Sequence, residues 1–346
     1  MYLDNNATTP IDPAVRAAVI EALDLYNPSS IHRYGQAAKQ ALIEARSAVA
    51  TFFKVPAEAI TFTSSGTEAM NLLIRGLYRG GPLVTTEIEH SCVAETVTSL
   101  TDAPIYLPVD DYGAPRNWDI IPQGALVVLS AVNSETGVMV DIDALAALDA
   151  TIILDGVAWL GKEPVTLPQS IAAIGFSGHK IHGPKGIGCA ISRLPLLPMI
   201  TGGGQESGRR AGTENLPCII GFAKALELIP SSHNMGELRD HFESLLMEAL
   251  PVERNGGGPR VCNTSNLFFP GVDAESLLIA LDMVGVAASA GSACSSGALE
   301  PSRVLLSMGY PRERALSSLR FSLSRLTTKE EVESAAAIII EKAKSF

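Results

Sequence analysis

The strongest constraint on this chain is an alternation. Short apolar runs end on small or polar residues, and each gives way to a helical pattern. AITFTSS (59–65) precedes TEAMNLLIRGL, and GPLVTTEIEH (81–90), a strand ending in His90, precedes SCVAETVTSL. APIYLPV, ALVVLSAVN and ATIILD follow, the last after the helix-like DIDALAALDA. Parallel neighbours need a long crossover, usually a helix, so this rhythm predicts an α/β fold with a mostly parallel central sheet covered by helices. Several runs are apolar almost throughout, as strands buried on both faces must be. IAAIGFSGHKIHGPKGIGCAIS (171–192) adds two short strands around a Gly-rich turn.

The texture changes after Gly202. GGGQESGRRAGTENLP (202–217) is a polar connector, and a helical pattern follows to about Leu250, broken by IPSSHNMG. NTSNLFFPGV, the helix-like AESLLIALDMVG and a final strand–helix pair from LRFSLSR onward predict a smaller α+β domain. TTKEE marks the last helix start, a Thr cap with early acids. The expected division is a large domain over 13–237 and a small one from 1–12 and 238–346. A net charge of -11 argues against a nucleic-acid partner. No apolar stretch approaches a membrane span, and MYLDNNATTP has no secretory-signal character. Five scattered cysteines form neither a disulfide framework nor a metal motif, so a reducing cytoplasm and no metal are expected.

Six places hold side chains with chemical potential. Lys180 sits among Ser177, Gly178, His179 and Gly183, where it is either an exposed hairpin lysine or an amine confined for Schiff-base chemistry with pyridoxal phosphate (PLP). TFTSSGTEAMN (61–71) runs strand, turn, helix; the N–H groups at Gly66 and Thr67 suit a phosphate or simply begin a capped helix. Asp155 ends an apolar strand, where open α/β sheets bind ligands, and it either faces a cofactor ring nitrogen or caps a turn. His90 stacks on a ring, moves a proton, or does neither. Arg320, a cation inside an apolar run, holds a carboxylate or makes a structural ion pair. Cys294 lies in AGSACSSGALEP (290–301), too small in side-chain volume for a packed core and suited to a loop that presents sulfur.

One cofactor accounts for all of these groups, and the chain resembles the cysteine desulfurases of the class V aminotransferase branch, PLP fold type I. YLDNNATTP, NPSSIHRYG, FTSSGTEAMN, EIEHSCV, NSETGV, FSGHKIHGPKGIG, GGGQESGRRAGTEN, GSACSSGALEPS and LRFSLSRLTTKEE carry the resemblance over nearly the whole length, in the group with a longer cysteine loop. The resemblance implies that Lys180 binds PLP and moves protons, His90 stacks on the ring, and Asp155 pairs with the ring nitrogen. It assigns the phosphate to Gly66, Thr67, Ser177 and His179, with Thr213 reaching the phosphate of a second subunit in a homodimer. Arg320 and Asn6 would bind the substrate. Cys294 would take sulfur from L-cysteine as a persulfide, leave L-alanine, and pass the sulfur to an acceptor such as an iron–sulfur scaffold protein. A selenocysteine lyase, a related β-lyase or aminotransferase, and a non-catalytic homologue are the alternatives.

Two positions depart from the family pattern. Ala158, in DGVA, stands where a glutamine would donate to the cofactor's phenolic oxygen, and Ser134, in NSE, stands for an asparagine near the same atom. Trp159 is expected to fill the space left by that glutamine.

Overall fold

A computed structural model describes residues 1–291 and 300–346, and its strands sort into two sheets. The larger holds β1 (Ile60–Thr63), β2 (Leu83–Thr86), β3 (Ile105–Leu107), β4 (Leu126–Ser130), β5 (Thr151–Asp155), β6 (Ile171–Ser177) and β7 (Gly188–Ser192). Their order is β1-β7-β6-β5-β4-β2-β3. Neighbours from β3 to β6 are parallel, and β7 runs antiparallel to both β6 and β1. The smaller sheet is antiparallel, β10-β9-β8, from β8 (Glu253–Arg254), β9 (Thr264–Phe268) and β10 (Ser318–Ser322).

The apolar runs are continuous because helices cover both faces of the large sheet. Ile152, Leu154 and Phe176 pack to one side with the Arg33–Phe53 and Leu216–Glu227 helices. Ile153, Val128 and Ala173 pack to the other with Met70, Leu73 and Val93, from the Gly66–Leu77 and Ser91–Thr98 helices. Side chains alternate across the sheet, and each face finds an apolar partner. Phe176 stacks on Phe53 with ring centroids 4.6 Å apart. That packing explains a glycine after β5: a Cβ on Gly156 would lie 2.4 Å from Phe176 Cε1 and 2.8 Å from Ile174 Cδ1. Gly156→Ala is expected to cost roughly 1–3 kcal/mol through overpacking, read as a lower denaturant midpoint.

A second core lies between the small sheet and the Met235–Ala249, Ala274–Asp282 and Lys329–Ala343 helices. Thr328 and Glu331 form a capping box at the start of the last of these, where TTKEE predicts a helix start. The chain's first residues join this unit: Tyr2 bridges Ala287, Asp4 bridges Ser322, and Asn5 N–H donates to Ser322 O. Thr9 N–H then donates to His179 O. Residues 6–9 are thereby delivered to the end of the large sheet.

The expected strand over 81–90 is shorter than predicted. It stops at Thr86, and His90 is instead the N-cap of the Ser91–Thr98 helix. The buried Glu89 carboxylate accepts from Thr86 Oγ1 at 2.6 Å and from Ser130 N and Oγ at 2.8 and 2.6 Å. These bonds turn the chain before His90. Among the described residues no helix is long and apolar enough to cross a membrane.

Candidate functional site

A cavity of about 310 Å³ opens where β4, β5 and β6 end, against the start of the Gly66–Leu77 helix. Lys180, His90, Asp155, Gly66, Thr67, Ser177, His179, Ser134 and Asn6 all line it. Residues far apart in sequence meet there because successive parallel strands end on the same edge of the sheet.

The helix start is shaped to receive an anion. Ser65 caps it, accepting from Glu68 N at 3.1 Å. A Cβ on Gly66 would lie 2.9 Å from Val157 Cγ2 and 3.2 Å from Ser177 Cβ, so glycine permits the close approach. Ser177 Oγ lines this cavity, buried and without a hydrogen-bond partner among the described residues. Buried hydroxyls are normally paired, so an orphan beside a helix N-terminus fits a phosphate ligand. Glu68, in the first turn, is neutralised by Arg210 at 2.8 Å. His179 Nδ1 lies 3.1 Å from Thr8 Oγ1. Burial and the cations of Lys180, Lys185 and Lys162 push its pKa down to about 4, so its ring is neutral at pH 7. Ser177→Ala is expected to weaken binding of a phosphate-bearing ligand about tenfold to a hundredfold, the scale of one hydrogen bond to a charged group, as measured by ligand titration of the apo protein.

Asp155 closes β5 and is 6% exposed. Burial raises its pKa, against the backbone N–H of Val157 and the charges of His90 and Lys180. His90 Nδ1 accepts from Cys92 N at 3.1 Å, so the neutral ring carries its proton on Nε2. Glu89 is held at about 7 chiefly by burial. Lys180 lies on the short 3-10 turn Gly178–Lys180, and its amine donates to Asn6 O. Burial and the Arg320 cation push that amine down to about 8, with Asp155 and Asp4 opposing.

Other candidates are placed differently. Arg320 sits in β10, buried, with one guanidinium nitrogen 2.8 Å from Asp4 Oδ1 and another 3.2 Å from Ser134 O. Its Nε has no partner among the described residues. The Asn6 amide is committed to Ser134 O, Thr264 Oγ1 and Asn263. Thr213 is exposed and lines a separate cavity of about 140 Å³. Cys294 lies outside the described residues. Ala158 lines the main cavity, but Trp159 does not fill the space beside it. Trp159 is 4% exposed in the large core, drawn there by apolar neighbours. Sequence reasoning missed Lys162, which lines the cavity, and Glu89, which holds the lining residue Ser130; the one available signal was a lone lysine in the otherwise apolar and glycine run GVAWLGK.

The family profile described as Aminotransferase class-V matches residues 1–334. A curated relative, "Cysteine desulfurase 2" of Trichormus variabilis, is 39% identical over 96% of this chain and 90% of its own. A solved "NIFS-LIKE PROTEIN" superposes with a TM-score of 0.91 at 30% identity, covering 100% of both chains. Another solved structure, "SspA in complex with cysteine", has a TM-score of 0.84 at 28% identity over 94% of this chain and 99% of its own.

Proposed function

The chain belongs to the class-V aminotransferase family and is a cysteine desulfurase; on that premise we propose that Lys180 carries PLP, that L-cysteine is the substrate, and that Cys294 receives the sulfur. The observation that carries the reading is the meeting, around one cavity, of an amine with a lowered pKa, a buried carboxylate and an orphaned hydroxyl at a helix start. When bound, PLP supplies an electron sink for chemistry at the substrate α-carbon.

The protein's own groups then divide the work. Gly66 and Thr67 N–H, the Ser177 hydroxyl and the neutral His179 ring would hold the phosphate. Asp155 would keep the ring nitrogen protonated, and its burial strengthens that ion pair. His90, with Nδ1 fixed by Cys92 N–H, would offer Nε2 and its ring face. Lys180 would move the α-proton, and its lowered pKa suits a base near neutral pH. Arg320 would orient the substrate carboxylate through its unpartnered Nε–H, sharing its charge with Asp4. Cys294 would attack the substrate sulfur: the sulfur–carbon bond breaks, a sulfur–sulfur bond forms, and the carbon skeleton leaves as alanine. Reductant or an acceptor protein then removes the outer sulfur.

Support for a sulfur acceptor such as an iron–sulfur scaffold, for a homodimer in which Thr213 serves the neighbouring subunit, and for a cytoplasmic setting comes from the family and from scattered free cysteines. Incubation with L-cysteine and a thiol reductant is expected to yield alanine and sulfide in equal amounts. Bound PLP with no alanine overturns the reading.

A further inference from the structure

Lys162 is a buried amine that the preceding mechanism does not use. It is 5% exposed, and its Nζ donates to Lys180 O at 2.8 Å and Leu160 O at 3.2 Å. Among the described residues it makes no ion pair with a carboxylate. It lines the main cavity and also a space of about 20 Å³ behind it, shared with Lys180, His182 and Arg325. A buried ammonium without a counter-charge is costly, and such sites cluster where function requires them.

The charged surroundings are unequal. Lys162 meets Lys180 in the cavity, with Arg325 and His182 across the small space. From the small domain, Cys262 donates its thiol to Lys162 O, and Glu163 accepts from Cys262 N. The anions Asp155 and Asp4 act on Lys180, as does the Arg320 cation; His179 and His90 complete the ring of titratable groups. Burial, then Lys180, pushes Lys162 down to about 7, while Lys180 lies at about 8. Of two like charges in one low-dielectric site the one with the lower value gives up its proton first, so near pH 8 Lys162 is mostly a neutral amine, which still donates.

We propose that Lys162 is a positioning residue for Lys180: its buried amine clamps the Lys180 carbonyl at the end of the turn and so sets where the reactive side chain starts. This rests on the reading that Lys180 carries PLP. The two N–H groups of a neutral amine match the two carbonyls, of Lys180 and Leu160, that Lys162 Nζ serves.

The test compares holo wild type, Lys162→Met, Lys162→Gln and Lys162→Arg at pH 8 by the circular dichroism of the Schiff-base absorption band and by kcat and KM for alanine formation. Met has no donor and is expected to weaken the dichroic band and to lower kcat about tenfold with KM little changed, the scale of one lost hydrogen bond. Arg and Gln keep a donor and are expected to restore both to within about threefold of wild type, and that rescue carries the test if Met fails to fold. Met matching wild type in both, or Arg and Gln no better than Met, overturns the inference while leaving PLP on Lys180 intact. A wild type with no band at any pH overturns the cofactor reading and this inference with it.

Discussion

Lys180→Ala is expected to abolish the visible absorption band and to lower alanine formation from L-cysteine by at least about 10³-fold, within the range of a lost acid–base group. The reason is the state of the amine. An ordinary lysine at pH 7 is almost wholly protonated and neither condenses with an aldehyde nor takes a proton. Burial beside the Arg320 cation brings Lys180 to about 8, which raises the neutral fraction at pH 7 about 300-fold. On the proposed assignment, alanine at this position removes both the covalent anchor and the base. The sign for stability runs the other way. The unfolded chain binds that lysine's proton more tightly than the folded one, so the buried ammonium works against folding below pH 8, and this cost fades as pH rises from there. The apo variant is therefore expected to melt no lower than the apo wild type at pH 7. A variant that folds, binds PLP without the band, and still releases alanine at near wild-type rates overturns the assignment.

Cys294→Ser is expected to lower alanine release by at least about 10³-fold, as the loss of a covalent nucleophile does, while the absorbance change on adding L-cysteine persists. The described part of the molecule offers no substitute thiol. Cys92 lines the cavity, but burial and the carboxyls of Asp155 and Glu89 push its thiol far up. Cys189 is raised by burial within β7, and Cys262 is pushed up to about 12, again mainly by burial. Cys218 is raised by burial as well. Thiols kept protonated are poor nucleophiles. Single-turnover absorbance with alanine analysis checks the prediction. Alanine release above about a tenth of wild type means that the added thiol reductant takes the sulfur directly and removes Cys294 from the assignment, whereas pyruvate and ammonia in place of alanine mark a β-elimination route that needs no thiol.

The parts of the site nearest to strand ends were legible in sequence. Asp155 closes an apolar run, and Ser177, His179 and Lys180 follow another, so a parallel sheet brings them to one edge without any knowledge of packing. The Gly66 helix start was legible for the same reason. Contacts made across hundreds of residues were not. The Arg320–Asp4 pair and the network around the Asn6 amide join the chain's start to its last strand, and no local pattern marks them. His90 was misplaced on a strand because Glu89 reads as a surface acid, whereas it is buried and turns the backbone. Trp159 was expected beside Ala158, but apolar volume decides its direction, and the large core takes it.

The pairing of the opening residues with β10 sets a schedule. Asn5 and its partner Ser322 are 317 residues apart, and the carbonyl that receives the Lys180 amine belongs to the next residue, Asn6. At a synthesis rate of about 5–20 residues per second, roughly 15–60 s separate the two from emerging in turn. During that interval the large sheet can assemble, yet the reactive lysine has no carbonyl lid. With Lys180 as the proposed anchor, efficient loading of the coenzyme is a late event, after translation has passed β10, and nascent chains stalled before it are expected to remain colourless.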